Sequence, residues 1–156
     1  MANYHIFDAY AYLHAAENLQ SFQGQQAYGL PTGGISYFLR YIVTELFRQD
    51  CVAIAFDQKF TTGCPRQLEG YKSNRSAPSD WLLVQAEFLY HMLRECGFPC
   101  FRGFGEADDH IHGLCVEARK LVSKTSFGNI YIHGVDYDLC HDVDNITFFS
   151  AATSQV

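Results

Sequence analysis

The 156-residue chain is 48% hydrophobic, enough for one globular core, and its formal net charge of −6 at pH 7 argues against a nucleic-acid binder judged on bulk charge alone, an argument that weakens if the acids gather round a metal. No run reaches transmembrane length, and the N-terminus lacks a basic stretch followed by an apolar one, which disfavours membrane and signal-peptide readings. The six cysteines form no Cys-x-x-Cys pair, so reduced thiols in a cytoplasmic protein are expected rather than disulfides or a zinc site.

In chain order, Tyr4-His5-Ile6-Phe7 predicts a short strand ending at Asp8, and residues 9–19 a helix with Ala, Tyr and Leu inward. Residues 23–34 are a polar, glycine-rich connection closed by Pro31-Thr32-Gly33-Gly34. Thr32 stands where it would cap a helix whose face carries Ile35, Phe38, Leu39, Ile42, Val43, Leu46 and Phe47. The continuous apolar run 51–56 reads as a strand buried on both faces, and it ends at Asp57. Residues 58–78 have no apolar periodicity and hold Lys59, Arg66, Lys72 and Arg75; a loop of that length inside a compact domain is functional or mobile.

Asp80 begins a further helix with Trp81, Phe88, Leu89, Met92 and Cys96 turned inward, and Phe98-Pro99-Cys100-Phe101-Arg102 a short strand. Next comes Gly105-Glu106-Ala107-Asp108-Asp109, which opens a helix whose buried face is Ile111, Leu114, Cys115, Ala118 and Val122. Residues 129–133 predict another strand, ending near Asp136 and Asp138, and residues 146–149 a last one. No internal repeat or low-complexity tract breaks the chain, so a single domain spanning residues 1–156 is expected.

Strands and helices in alternation imply a three-layer α/β fold with a mainly parallel central sheet, whose sites form beyond the carboxyl ends of the strands. Asp8, Asp57, Glu106 with Asp108 and Asp109, and Asp136 with Asp138 all stand at such ends. One strand-end Asp is commonplace as a turn or cap residue. Four successive acidic ends at one edge repel each other unless cations neutralise them, and oxygen-only ligands suit Mg²⁺ or Mn²⁺ rather than zinc. The histidines offer no matching set. His110 and His112, two apart on a helix, point apart, His14, His91 and His141 read as surface or half-buried, and His133 as a packed strand residue near Asp136.

The stretches Ile6-Phe7-Asp8-Ala9-Tyr10-Ala11-Tyr12-Leu13, Pro31-Thr32-Gly33-Gly34, Phe56-Asp57, Tyr71-Lys72-Ser73-Asn74-Arg75, Gly105 through Asp109, and Asp136-Tyr137-Asp138-Leu139 resemble, in order and spacing, the successive motifs of the 5′ nucleases. That group comprises the flap endonucleases, the phage 5′–3′ exonucleases and the N-terminal nuclease domain of bacterial DNA polymerase I. The resemblance implies a PIN-like catalytic domain that cuts phosphodiester bonds at 5′ ends and flaps of DNA, in replication or repair, with two divalent ions. It further implies that Asp8, Asp57, Glu106 and Asp108 hold one metal cluster and that Asp109, Asp136 and Asp138 lie towards a second. Residues 58–78 would match the family's arch or gateway for the 5′ end. Lys72 and Arg75 would contact phosphates, Tyr71 would stack on the terminal base, and Lys59 and Arg66 would add positive charge along the strand. Read without the family, Lys72 and Arg75 are a solvated loop pair.

The chain also departs from the family pattern. Ala9 stands where the family has Gly, Ala15 where it has a phosphate-steering Arg, and Tyr137 where it has a metal-flanking Lys. Arg66 sits two residues nearer to Lys72 than the family's loop arginine. The sequence stops at Val156, before the family's C-terminal helix-hairpin-helix region, so a C-terminal segment or partner chain is expected to supply the grip on duplex. All seven acids are present while several phosphate clamps are not, which is expected to cost affinity before chemistry. Besides the 5′ nuclease, two readings stand: a non-catalytic nuclease fold that binds nucleic acid or protein, and a PIN-type ribonuclease acting on single-stranded RNA.

Overall fold

The computed structural model describes residues 3–45, 50–57, 78–103, 107–122, 128–135 and 146–150. Among them the chain runs β1 (Tyr4–Asp8), α1 (Ala9–Glu17), β2 (Gln26–Ala27), β3 (Leu30–Pro31), α2 (Gly33–Glu45), β4 (Cys51–Ala55), α3 (Asp80–Glu95), β5 (Cys100–Phe101), α4 (Ala107–Val122), β6 (Ile130–Gly134) and β7 (Ile146–Ser150). Five of these strands pair in the order β5-β4-β1-β6-β7, all parallel, with Ile6 opposite both Ala53 and Ile132. The expected three-layer α/β fold is therefore the one observed. The polar connection of residues 23–34 holds something the sequence reading had not separated, a two-stranded antiparallel hairpin of β2 and β3.

Alternation along the strands divides the core in two. Phe7 and Ile54 point to one face and pack with Tyr12, Leu13, Phe38, Leu82 and Leu89 of α1, α2 and α3. Ile6, Ala55, Ile130 and Ile132 point to the other and pack on Ile111, Cys115 and Ala118 of α4. Ile111, Cys115 and Ala118 of the face predicted for α4 are thus buried, with Leu114 half-buried at its margin, while the Val122 side chain lies outside what the structure describes.

The face predicted for α3 is right in part. Leu89 is buried and Met92 packs against the core, but Trp81 and Phe88 are about half exposed and Cys96 is exposed, and Leu82, Gln85, Ala86 and Leu93 complete the buried stripe. A buried glutamine hid the true stripe. Its Oε1 accepts from Gly34 N at 2.7 Å and its Nε2 donates to Trp81 O at 3.3 Å, so its polar atoms are satisfied while its stem packs. On α2, Ile35, Phe38 and Ile42 are buried as expected, but Val43 is exposed. β5 is only two residues long, shorter than the strand predicted there.

Local capping sets the helix starts. Asp8 caps α1, its Oδ1 accepting from Ala11 N at 3.2 Å, and Ser79 caps α3, its Oγ accepting from Leu82 N at 3.1 Å. Ser79 Oγ also donates to Glu17 Oε1 at 2.6 Å, tying the start of α3 to the end of α1. At the start of α2 the chain passes so close to Phe22 that a Cβ on Gly33 would collide with the Phe22 carbonyl oxygen, which is backbone and cannot rotate away. Gly33→Ala is therefore expected to cost roughly 2–3 kcal/mol, as overpacking against fixed atoms does. An unfolding free energy from urea denaturation within about 0.5 kcal/mol of the unsubstituted chain would show that the loop yields freely.

Candidate functional site

β1 lies at the centre of the sheet. The chain leaves it towards β4 and β5 on one side and is continued by β6 and β7 on the other, so the carboxyl end of β1 is the topological switch point. Asp8 is the last residue of β1, and Asp57 follows β4, the neighbouring strand, by two residues. Asp57 Oδ1 accepts from Ala107 N at 2.6 Å, so the acid closing one strand holds the first turn of α4. That turn carries Asp108, half-buried, and Asp109, exposed. Two of the predicted acids thus do serve as helix caps, and capping is what fixes their position.

Asp8 is 8% exposed. Burial is the main cause that pushes its carboxyl up to about 7; the negative charges of Asp57 and Asp108 add to the rise, and the N–H groups of Ala11 and Tyr10 oppose it. Asp57 and Asp108, 49 and 100 residues from Asp8 in sequence, therefore act on it at a single edge of the sheet. Tyr10, on the first turn of α1, senses the same field. Burial, then Asp57, Glu87 and Asp8 push its phenol up to about 12, against Arg102.

A cluster of carboxylates of this kind is chemically suited to a hard divalent cation, since the donors are all oxygen. Among the described residues, Asp8, Asp57 and Asp108 do not by themselves close a group of three ligands round one ion. Glu106, Asp136 and Asp138, the remaining predicted acids, lie outside the described residues, as do Lys59, Arg66, Tyr71, Lys72 and Arg75 and the loop 58–77.

His133, expected as a packed strand residue, is fully buried, and it has a partner that the sequence did not reveal. His5 and His133 sit on adjacent strands on the helix-rich face, with His5 Nδ1 and His133 Nε2 at 2.9 Å. His133 stacks on Phe7 with centroids 4.1 Å apart and meets Tyr41 edge-on. His5 Nε2 lies 3.4 Å from Asp50 Oδ2. Both rings are buried. Burial lowers His5, with Asp50 opposing, and burial together with His5 brings His133 down to about 3. Only the pairing of β1 with β6, 128 residues apart at this bond, could have revealed it.

Residues 2–156 match the family model described as the N-terminal, resolvase-like domain of 5′-3′ exonucleases. A 5′-3′ exonuclease of Bacillus subtilis (strain 168) is 34% identical over 90 residues, which cover 55% of this chain and 30% of that protein. A 5′-3′ exonuclease of Buchnera aphidicola is 30% identical over 154 residues, 92% of this chain and 50% of that one. In fold, the chain is similar to the T5 D15 protein co-crystallised with metal ions, with a TM-score of 0.62 at 17% identity over 94% of this chain and 54% of that chain. The chain spans about half the length, or less, of the curated relatives it matches. Among the described residues no helix is long and apolar enough to cross a membrane.

Proposed function

Since the chain belongs to the family of 5′-3′ exonuclease N-terminal, resolvase-like domains, we propose that it is the catalytic domain of a divalent-metal-dependent 5′ nuclease acting on DNA 5′ ends or flaps in replication or repair. The observation that carries this reading is the mutual field of Asp8, Asp57 and Asp108 at the switch point of the sheet. Asp8, Asp57 and Asp108 with Glu106 would hold one ion, and Asp109, Asp136 and Asp138 a second. Bound there, Mg²⁺ or Mn²⁺ would supply the positive charge that stabilises the attacking and leaving oxygens of the scissile phosphate.

The protein's own part is positioning. The bond from Ala107 N fixes Asp57, and the bond from Ala11 N fixes Asp8, so neither carboxylate must be ordered when substrate arrives. Residues 58–78 form the gateway in this reading, with Lys59, Arg66, Lys72 and Arg75 neutralising phosphates and Tyr71 stacking on the terminal base. Residues 1–156 act as one domain, and a C-terminal helix-hairpin-helix segment or partner chain completes the hold on duplex.

Asp108→Asn tests the proposal. Cleavage of a 5′-flap DNA with Mg²⁺ or Mn²⁺ is expected to fall to background, while the melting temperature in EDTA stays equal or rises, because one of three repelling charges is gone. A clear fall in the metal-free melting temperature would make Asp108 a structural cap. Preferential cutting of single-stranded RNA by the unsubstituted chain would point to a ribonuclease, and tight binding without turnover to a non-catalytic module.

A further inference from the structure

Arg102 follows β5, whose carboxyl end lies beside that of β4. Phe56 N donates to Phe101 O at 2.9 Å, so Arg102 and Asp57 leave the same sheet edge on neighbouring strands. The guanidinium is held on two sides. Its Nη2 donates to Glu87 Oε2 at 2.9 Å, and its Cζ lies 5.0 Å from the centroid of the Tyr90 ring. Tyr90 is itself anchored, by an edge-on contact with Phe56 at 5.2 Å and by a hydrogen bond from Arg94 Nη1 to its hydroxyl at 3.2 Å. Glu87 and Tyr90 are three apart on α3, so one helix face presents both the clamp and the platform. The Arg102 side chain is nevertheless 18% exposed, and its charge reaches Tyr10, the phenol on which Asp57 and Asp8 also act.

A guanidinium held this way has already lost most of its rotamer freedom, so binding with it forfeits less entropy than binding with a free surface side chain. One of its five N–H donors goes to Glu87, and the others remain for a planar, bidentate contact of the kind phosphate accepts. The edge it stands on otherwise carries the negative charges of Asp8, Asp57 and Asp108, which would repel a polyanion.

We propose that Arg102, clamped by Glu87 and stacked on Tyr90, grips a backbone phosphate of the DNA strand beside the acidic edge. This rests on the nuclease reading, because it places a strand there. The test measures anisotropy of a labelled 5′-flap DNA in Ca²⁺ across a salt series, cleavage in Mg²⁺ and thermal melting, for the unsubstituted chain, Arg102→Gln and Arg102→Lys. Arg102→Gln is expected to weaken binding about tenfold and to flatten the log–log salt dependence by about one. KM rises while the rate at saturating DNA changes little. Arg102→Lys is expected to restore the salt slope but only part of the affinity, since it keeps the charge and loses the fork. A residue serving only as counter-ion to Glu87 would lower the melting temperature and leave the slope and Kd unchanged in both variants, and that result overturns the inference. An unsubstituted chain that binds DNA but never cuts it defeats the nuclease reading, while the binding comparison still decides the role of Arg102. No DNA binding at all defeats both.

Discussion

Asp8→Asn is expected to stabilise the metal-free protein strongly at pH 8 and hardly at all at pH 4. The folded state raises the Asp8 carboxyl from 3.8 to about 7, so folding favours its protonated form. The folded chain therefore binds more protons than the unfolded one between those values, and stability falls as pH rises through that window. Above it the buried charge costs about 4 kcal/mol. Asn carries no charge, yet it can still accept from Ala11 N, so the cap on α1 survives. Urea denaturation in EDTA at the two pH values checks this. Adding Mg²⁺ or Mn²⁺ at pH 8 should stabilise the unsubstituted chain and leave the variant nearly unmoved. Equal destabilisation at both pH values would mean that the side chain, and not its charge, is what the fold uses.

His133 works in the opposite sense, and His133→Gln is expected to abolish a large acid instability. Its folded value of about 3 lies well below the ordinary 6.5, so the unfolded chain binds the extra proton between the two. The stability this neutral, buried ring contributes is complete above pH 6.5 and is lost as pH falls, by about 4–5 kcal/mol in all. Gln retains an amide able to bond to His5 Nδ1 but cannot titrate, so it should weaken the protein by about 1–2 kcal/mol at neutral pH through lost stacking on Phe7 and spare it in acid. Between about pH 4 and 6.5 the slopes from Asp8 and His133 nearly cancel. The metal-free, unsubstituted chain should therefore look insensitive to pH there. Asp8→Asn should expose a stability that falls on acidification, and His133→Gln one that rises. If neither single variant changes the slope, the two groups are not the ones that titrate.

These residues also mark how far the sequence can be read. Asp8 and Asp57 were legible because apolar runs stop at them, and a parallel sheet brings such ends to one edge whatever the details of packing. Arg102 was legible only as one more cation near the site; its fixed geometry comes from Glu87 and Tyr90, which the sequence had assigned to no site. The aromatic rings of Trp81 and Phe88 pulled the predicted face of α3 round, because spacing alone cannot tell a buried aromatic from an exposed one when a glutamine occupies a core position. His5 and His133 needed the strand register, which no local pattern encodes.

The place of β1 at the centre of the sheet has a consequence for how the chain is made. β1, made before the other strands of its sheet, pairs with β4 through Tyr4 and Cys51, and with β6 through Tyr4 and Ile130. Its second edge stays without a partner until the segment 126 residues further on has been synthesised. Pairings this distant raise the contact order and slow folding, since loop closure comes before any reward. During translation the nascent chain thus exposes an apolar strand edge, Ile6 and Phe7 included, until β6 has been made, and that interval is when capture by another chain or by a chaperone competes with native closure.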